Sequence, residues 1–179
     1  YYIRAYATNS NGTGYGDELS FSTTNLIVIP DNNFEQALID LGYDNSLDGY
    51  VSYSLISNVD TLRIIDKEIT DLTGIEGFSS LKFLDVSLNN NLSVFDISSN
   101  TDITHLNCSS NQLTSLDVSN NTALTYLWCH YNQLSSLDVS NNTALTYLAC
   151  AGNQLSSLDV SNNTALTSLW CGGNQLSSL

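Results

Sequence analysis

A 21-residue repeat fills the C-terminal part of the chain and constrains its fold more than any other feature. Equivalent residues recur 21 positions apart, at Ile103, Leu124, Leu145 and Leu166. A fixed period of this length is typical of solenoids, in which each repeat forms one coil that stacks on its neighbours. Three copies are complete and the last is truncated, with bounds 103–123, 124–144, 145–165 and 166–179. The sequence therefore predicts a solenoid.

Two less regular repeats of 22 residues precede these copies, at 59–80 and 81–102. In the second, the extra residue falls in the stretch Asn-Asn-Asn-Leu at 89–92. The first carries apolar residues at the positions expected to face inward, namely Val59, Leu62, Ile64, Ile69, Leu72, Ile75 and Phe78. Irregular copies are expected at the end of a solenoid, because a terminal coil has different neighbours.

Each regular copy follows the pattern Leu-x-x-Leu-x-Cys-x-x-Asn-x-Leu, as in 124–134. This pattern resembles the leucine-rich repeat family over roughly residues 26–179. The resemblance implies an α/β-type horseshoe solenoid, mostly β with an irregular convex side, a parallel β-sheet on the concave face and an N-terminal helical cap. The first coil, with Asp-Leu-Thr-Gly-Ile at 71–75, is similar to internalin-type surface proteins. Lys67 stands where that coil should have Asn, so we expect its turn to be supported differently.

The segment before the repeats divides into two parts. Residues 1–24 alternate polar and apolar residues on either side of an Asn/Gly-rich stretch at 9–14, which predicts a β-hairpin with its second strand at 19–23. They resemble the last two strands of a fibronectin type III domain, so we expect the chain to begin inside a neighbouring domain of a longer bacterial protein. Residues 25–58 are predicted to form the N-terminal cap of the solenoid.

One helix is predicted within this cap, at about 31–41. Asp31 is a suitable N-cap, and Gly42 is a suitable end. Phe34, Leu38 and Leu41 should form one apolar stripe facing the first coil. The helix would cover the open end of the core.

The loop after the helix resembles the first half of a calcium-binding loop. Asp44, Ser46 and Asp48 place oxygen atoms at alternate positions, followed by a glycine. Leu55, however, stands at the twelfth position, where a bidentate Glu is needed. A plain Asp/Asn/Gly turn leading into the first coil is the alternative.

Three columns of the repeat are expected to be structural. The cysteines should point into the core as small apolar residues, because parallel neighbouring side chains suit neither a disulfide nor a tetrahedral metal site. Two asparagine columns should satisfy backbone groups at the turns. The members are Cys108, Cys129, Cys150 and Cys171, then Asn89, Asn111, Asn132, Asn153 and Asn174, and then Asn100, Asn121, Asn142 and Asn163.

A fourth column consists of carboxylates, at Asp96, Asp117, Asp138 and Asp159. Like charges one strand spacing apart repel each other, so something must offset the repulsion. Hydrogen bonds from neighbouring Ser and Thr residues are one explanation. Bound calcium ions are the other.

The copies differ from one another on the outward-facing columns beside the central strand leucine. These columns carry aromatic residues next to small ones, the composition of interaction hot spots. The candidate ligand-binding residues on the concave face are His105, Tyr126, Trp128, His130, Tyr131, Tyr147 and Trp170. The alternative is that these aromatic side chains only cover the strands and pack across coils.

The charge of the chain limits its partners. It carries 4 Lys+Arg against 18 Asp+Glu, with no Lys or Arg after Lys82, so binding to nucleic acid or to anionic lipid is excluded. No apolar run is long enough to insert into a membrane. His130 adjoins Cys129, but neighbouring strand residues point to opposite faces, so a catalytic dyad is not expected.

We therefore expect a non-enzymatic module that is secreted or at the cell surface. It would recognise an extracellular protein or glycan through its concave face and use no cofactor. The alternative is a structural stalk within a larger surface protein.

Overall fold

The computed structural model describes residues 2–20 and 25–177 of the chain. The first described segment is a β-hairpin, and the second is a cap followed by a solenoid. The strands are β1 Tyr2–Asn9, β2 Gly12–Ser20, β3 Leu26–Val28, β4 Tyr50–Ser52, β5 Thr61–Arg63, β6 Phe83–Asp85, β7 His105–Asn107, β8 Tyr126–Trp128, β9 Tyr147–Ala149 and β10 Ser168–Trp170. The helices are α1 Asn32–Asp40 and α2 Tyr53–Ile56, with a 3₁₀ turn at Ile75–Gly77.

The solenoid is built on a six-stranded parallel sheet whose strands follow chain order from β5 to β10. Each coil contributes one three-residue strand. The central residues pair in an unbroken row of Leu62, Leu84, Leu106, Leu127, Leu148 and Leu169. This sheet confirms the predicted repeat solenoid, since the repeat period and the strand register coincide.

The core runs through the solenoid as columns of buried apolar side chains. Cys108, Cys129 and Cys150 are fully buried free thiols, in the column where the earlier coils carry Ile64 and Val86. Burial raises the pKa of Cys150 to about 11, and it also raises the pKa of Cys108 and Cys129 well above the ordinary value of a thiol. The prediction that these cysteines pack as small apolar residues is confirmed, because Ile and Val fill the same sites.

The first asparagine column joins consecutive coils by hydrogen bonds. Nδ2 of Asn132 donates to the carbonyls of Cys129 (3.1 Å) and Cys108 (3.0 Å), and its Oδ1 accepts the N–H of Leu113 (2.9 Å). In the second column, Nδ2 of Asn142 donates to two carbonyls of the preceding coil, those of Val118 and Asn121. The predicted structural role of both columns is therefore confirmed.

The irregular coils keep part of this bonding pattern. Oδ1 of Asn89 accepts the N–H groups of Lys67 and Ile69, so the following coil supports the turn that has no Asn of its own. In the next coil, which has one extra residue, the Leu92 N–H donates to the carbonyl of Asn89 and not to the side chain of Asn111. Oδ1 of Asn111 consequently has no hydrogen-bond partner in the described part of the chain.

Helix α1 covers the first coil. Its N-cap is Asp31, whose Oδ1 accepts the N–H groups of Asn33 and Phe34. Phe34, Ala37 and Leu38 are fully buried. Leu41 does not belong to the buried stripe, contrary to prediction: it is 45% exposed, because the helix ends at Asp40 and the chain turns away at Gly42 (φ +80°).

Two carboxylates fasten this cap. Oδ2 of Asp31 accepts the N–H groups of Thr70 and Asp71 and the Thr70 hydroxyl, which ties the helix to the first coil. Glu35 is fully buried, and its Oε1 accepts the N–H groups of three consecutive loop residues, Asp48, Gly49 and Tyr50. The loop is therefore folded around the Glu35 carboxylate.

The N-terminal hairpin turns more tightly than the sequence predicts. Asn9 pairs with Gly12, so the turn consists of Ser10 and Asn11, and β2 begins at Gly12 rather than near Leu19. The side chain of Asn9 accepts the Asn11 N–H, and Gly12 takes φ +131°, which favours the short turn. The predicted strand residues 21–23 lie outside the described residues, and the fibronectin-like assignment stays a prediction.

Candidate ligand-binding face

The outward side of the six-stranded sheet, called here the sheet face, carries two rows of side chains. Successive strand residues point to opposite sides, so the residues flanking each inward-facing central leucine face outward. Strand pairing sets the first row as Thr61, Phe83, His105, Tyr126, Tyr147 and Ser168. The second row is Arg63, Asp85, Asn107, Trp128, Ala149 and Trp170.

Rings in the first row stack on one another along the solenoid. The centroid distances are 5.7 Å for Phe83–His105, 4.6 Å for His105–Tyr126 and 6.0 Å for Tyr126–Tyr147. The Arg63 guanidinium lies 4.2 Å from the Phe83 ring centroid and covers one end of the stack. These contacts are what the packing alternative expects, because each ring is shielded by its neighbours.

Trp128 joins this stack from the second row. Its ring centroid lies 5.5 Å from that of Tyr126 and 5.6 Å from that of Tyr147. In the next coil the second row has Ala149, which is 3% exposed, and one coil further it has Trp170, which is 63% exposed. The stack thus ends at Trp128 and Tyr147, and Trp170 stands apart from it.

An open cavity of about 300 Å³ lies at this end of the stack. We call it the aromatic cleft. It is lined by Trp128, His130, Tyr131, Tyr147, Ala149, Ala151 and Trp170.

Tyr131 forms the outer wall of the aromatic cleft and is held by an unusual backbone. It is 65% exposed and has φ +55°, in the left-handed region that bulky residues rarely adopt. Its ring lies over Gly152 of the next coil, where a Cβ would come within 2.6 Å of the Tyr131 Cδ1 atom. Gly152 therefore provides the space in which the Tyr131 ring lies.

The aromatic cleft is electrically neutral. Burial lowers the pKa of His130, so its imidazole is uncharged at neutral pH. Nδ1 of His130 is buried and has no hydrogen-bond partner among residues 2–20 and 25–177. The remaining lining residues are aromatic or small. The cleft therefore offers apolar ring faces together with neutral polar atoms on Tyr, Trp and His.

The structure separates the seven candidate residues into two groups. Trp128, His130, Tyr131, Tyr147 and Trp170 come together in the aromatic cleft. His105 and Tyr126 lie in the stack. Sequence reasoning missed Phe83 and Arg63, which extend the stack and could have been found by continuing its columns into the irregular coils.

The aspartate column lies apart from the sheet face and is exposed. Each Oδ1 accepts the N–H of the serine two residues later, for example Ser119 N–H to Asp117 at 2.9 Å. These serines, through their hydroxyl and N–H groups, lower the pKa of all four carboxyls. A second cavity, of about 470 Å³, lies between Asp96, Asp117 and Asp138 over the side chains of Phe95 and Leu116.

At both candidate calcium sites, carboxylate oxygens already accept hydrogen bonds from the chain, although Oδ2 of Asp44 is buried without a partner among the described residues. In the cap loop, Asp48 accepts the Ser46 hydroxyl (3.0 Å) and the Tyr50 N–H (3.1 Å). Within the described ranges, no group of three or more His, Cys, Asp or Glu side chains could hold a metal ion. The hydrogen bonds found at both sites are those of the alternative explanations.

Comparisons with known proteins agree with this architecture. The family model for leucine-rich repeats in two copies matches residues 101–142. No curated protein matches the chain. The fold is thus that of a leucine-rich repeat solenoid.

Three solved structures of bacterial proteins are similar to this chain. The functional domain of InlJ from Listeria monocytogenes, which includes a cysteine ladder, is 38% identical, with a TM-score of 0.80 over 89% of this chain and 36% of that one. The leucine-rich repeat protein LIC12759 from Leptospira interrogans is 27% identical, with a TM-score of 0.56 over 59% of this chain and 29% of that one. The internalin InlF from Listeria monocytogenes shares the fold at 18% identity, with a TM-score of 0.58 over 85% of this chain and 59% of that one. The chain thus carries leucine-rich repeats and has internalin-like structural neighbours, and it spans about a third of the InlJ domain.

Proposed function

We propose that the chain is a non-enzymatic extracellular binding module, secreted or at the cell surface, that recognises a protein or glycan through its sheet face. The observation that carries the proposal is the exposure of Trp170 (63%) and Tyr131 (65%) beside a neutral cleft. Large aromatic side chains left in water forgo their burial free energy, and exposed apolar patches often mark binding sites. The likeness to internalins supports this class of function.

The absence of suitable chemistry on the sheet face supports a non-enzymatic role. Cys129 is fully buried, and burial raises the pKa of its thiol, so a reactive thiolate beside His130 is disfavoured. Among the described residues, no helix is long and apolar enough to cross a membrane.

A structural stalk is the second candidate. The ring stack from Phe83 to Tyr147 favours it, because rings that pack on one another stiffen the coils without needing a ligand. A stalk gives no reason, however, for the two exposed rings at the end of the stack.

A binding screen with a matched pair of variants separates the two candidates. The immobilised protein is exposed to extracellular protein fractions and to a glycan array, and hits are repeated with Trp128→Ala/Trp170→Ala. The control is Val94→Ala, which removes an equally exposed apolar side chain (60%) away from the sheet face. We expect binding to be lost in the double variant and kept in the control. Binding that survives in the double variant rejects the sheet face as the binding site, and an absence of any hit favours the stalk.

A further inference from the structure

The electrostatics of the aromatic cleft limit the kind of ligand it can take. A chain with formal charge −14, and no Lys or Arg after Lys82, repels anionic ligands. Within the described residues, no carboxylate lines the cleft to pair with a cation, and His130 is neutral for the reason given above. The lining therefore suits an uncharged ligand, whereas a cation would be attracted only by the ring faces and by the overall charge of the chain.

The dimensions of the cleft limit the ligand to about one ring. Trp128 and Trp170 lie in the same row, with Ala149 between them. Two strand spacings place their Cα atoms about 9.6 Å apart. Ala149 and Ala151 are too small to fill the gap, and His130 and Tyr131 also line it. The gap between the two tryptophan positions is therefore open to a single flat group.

The polar atoms at the rim indicate what such a group should carry. Indole N–H groups donate hydrogen bonds, and tyrosine hydroxyls both donate and accept them. A ring that is apolar on its faces and bears hydroxyls around its edge would satisfy both the aromatic walls and this rim. A pyranose sugar has that distribution of groups, whereas an apolar peptide side chain would leave the rim unpaired.

We propose that the aromatic cleft binds one pyranose ring of a neutral saccharide between Trp128 and Trp170. This inference rests on the proposed function, since it names the ligand class of the same face. A protein partner would need roughly 800 Å² of contact on each side. Much of the adjoining sheet face is already covered by its own ring stack, so a site for one ring fits the exposed part better.

Intrinsic fluorescence reports on this cleft directly, because Trp128 and Trp170 are the only tryptophans in the chain. The probes are cellotetraose, mannotetraose and chitotetraose, with tetramethylammonium as a cationic comparison. We expect a saturable fluorescence change with at least one tetrasaccharide and none with tetramethylammonium.

A pair of histidine substitutions tests whether the ligand occupies the cleft. Ala151→His places an imidazole in the cleft at the column position where the preceding coil already accommodates His130. Gly172→His makes the same change one coil further on, where a Cβ meets no atom within 4 Å and the position does not line the cleft. We expect Ala151→His to weaken saccharide binding by about tenfold or more, and Gly172→His to leave it within about twofold. Thermal melts of both variants check that they are folded.

The remaining outcomes overturn the inference in distinguishable ways. Saccharide binding that is unaffected by Ala151→His places the sugar elsewhere. Binding of tetramethylammonium without any tetrasaccharide makes the cleft a cation–π site. If no tetrasaccharide binds while the screen finds a protein ligand that is lost in Trp128→Ala/Trp170→Ala, the saccharide inference fails and the proposed function stands. If neither kind of ligand binds, both fail.

Discussion

The cap and the repeats meet the same structural need with different side chains. In both, a buried polar side chain bonds to backbone groups that a turn would otherwise leave unpaired. The cap uses the carboxylates of Asp31 and Glu35, which between them accept hydrogen bonds from seven N–H groups and one hydroxyl. Two of these N–H groups belong to helix α1, three belong to the cap loop, and the other two N–H groups and the hydroxyl belong to the first coil. The repeats use neutral amides such as Asn132.

The difference follows from repetition. Two unit charges one strand spacing apart, about 4.8 Å, repel by about 3.5 kcal/mol at an effective dielectric constant of 20. A buried ladder of carboxylates would incur this cost at every step, whereas Asp31 and Glu35 each occur once. An amide can also donate to the carbonyls of two coils, which a carboxylate cannot do. The position of a turn within an array therefore decides whether charge is tolerated there.

Breaking the amide ladder in its middle should have the largest effect. Asn132→Ala leaves the N–H of Leu113 without its partner. It also removes one of the two amide donors to each of the carbonyls of Cys108 and Cys129, which keep their bonds from Asn111 and Asn153. At about 1–3 kcal/mol for the unpaired buried N–H and about 1 kcal/mol for each of the two lost bonds, we expect the free energy of unfolding to fall by about 3–5 kcal/mol in urea titrations. Asn141→Ala is the control, since that exposed amide makes one bond, to Ser119. Equal losses in the two variants would contradict a special role for the buried ladder.

Replacing the Asp31 carboxylate of the cap should lower the free energy of unfolding by a smaller amount. Asp31→Asn keeps an oxygen for the helix N-terminus but presents an amide N–H₂ to the three donors of Thr70 and Asp71. We expect a loss of about 2–3 kcal/mol in the free energy of unfolding near neutral pH. Asp40→Asn, on the exposed side of the same helix, should have no measurable effect.

The pH dependence of this variant distinguishes charge from shape. Burial of Asp31 acts to raise its pKa, but the hydrogen bonds from the Thr70 hydroxyl and from the backbone outweigh burial, and the pKa lies below 3.8. A carboxyl whose pKa is lowered by folding stabilises the fold above the unfolded pKa, and this stabilisation is lost as the pH falls through the folded pKa. The gap between wild type and Asp31→Asn should therefore narrow in acid. A constant gap would mean that the variant disturbs packing instead.

A smaller effect is expected at Glu35. Glu35→Gln keeps the Oε1 acceptor for the loop N–H groups but replaces Oε2, which has no partner in the described chain, by a buried donor. We expect a loss of about 1–2 kcal/mol in urea titrations. Glu76→Gln is the control, because that side chain is exposed and bonds only to Gly74 N–H among the described residues. Stabilisation by Glu35→Gln would mean that the carboxylate carries an uncompensated charge.

The sequence predicts the scaffold well because the scaffold repeats. Leucine, cysteine and asparagine columns recur every 21 residues, so their burial and bonding follow from one coil. The site is less predictable because it depends on ring orientation. The columns place Tyr126, Trp128 and Tyr147 on one face, but they do not reveal that these rings stack while Trp170 stands free.

Local features of the backbone account for the other differences between the sequence-based predictions and the structure. Leu41 fits the spacing of a helical stripe, but the helix ends one residue before it. The left-handed backbone of Tyr131 recurs at the equivalent position of the other coils, from Asp66 to Gly173. The contact of its ring with Gly152, by contrast, depends on which side chains two neighbouring coils carry there, so the repeat pattern does not predict it.

The exposed aspartate column extends the comparison between charged and neutral side chains, and a substitution there should have the smallest effect on stability. Here a carboxylate ladder exists, which water and salt can screen because the side chains lie at the surface. The Ser119 hydroxyl and N–H lower the pKa of Asp117 by more than the neighbouring Asp138 raises it, so ionisation of Asp117 favours the folded state. Asp117→Asn should therefore lower the melting temperature at neutral pH by no more than about 2 °C. The difference should vanish as the pH falls through the folded pKa and the wild-type carboxyl becomes protonated. If Asp117→Asn instead raised the melting temperature at low salt, repulsion along the column would outweigh the hydrogen bonds from the serines. Charge repulsion would then limit even an exposed row of carboxylates.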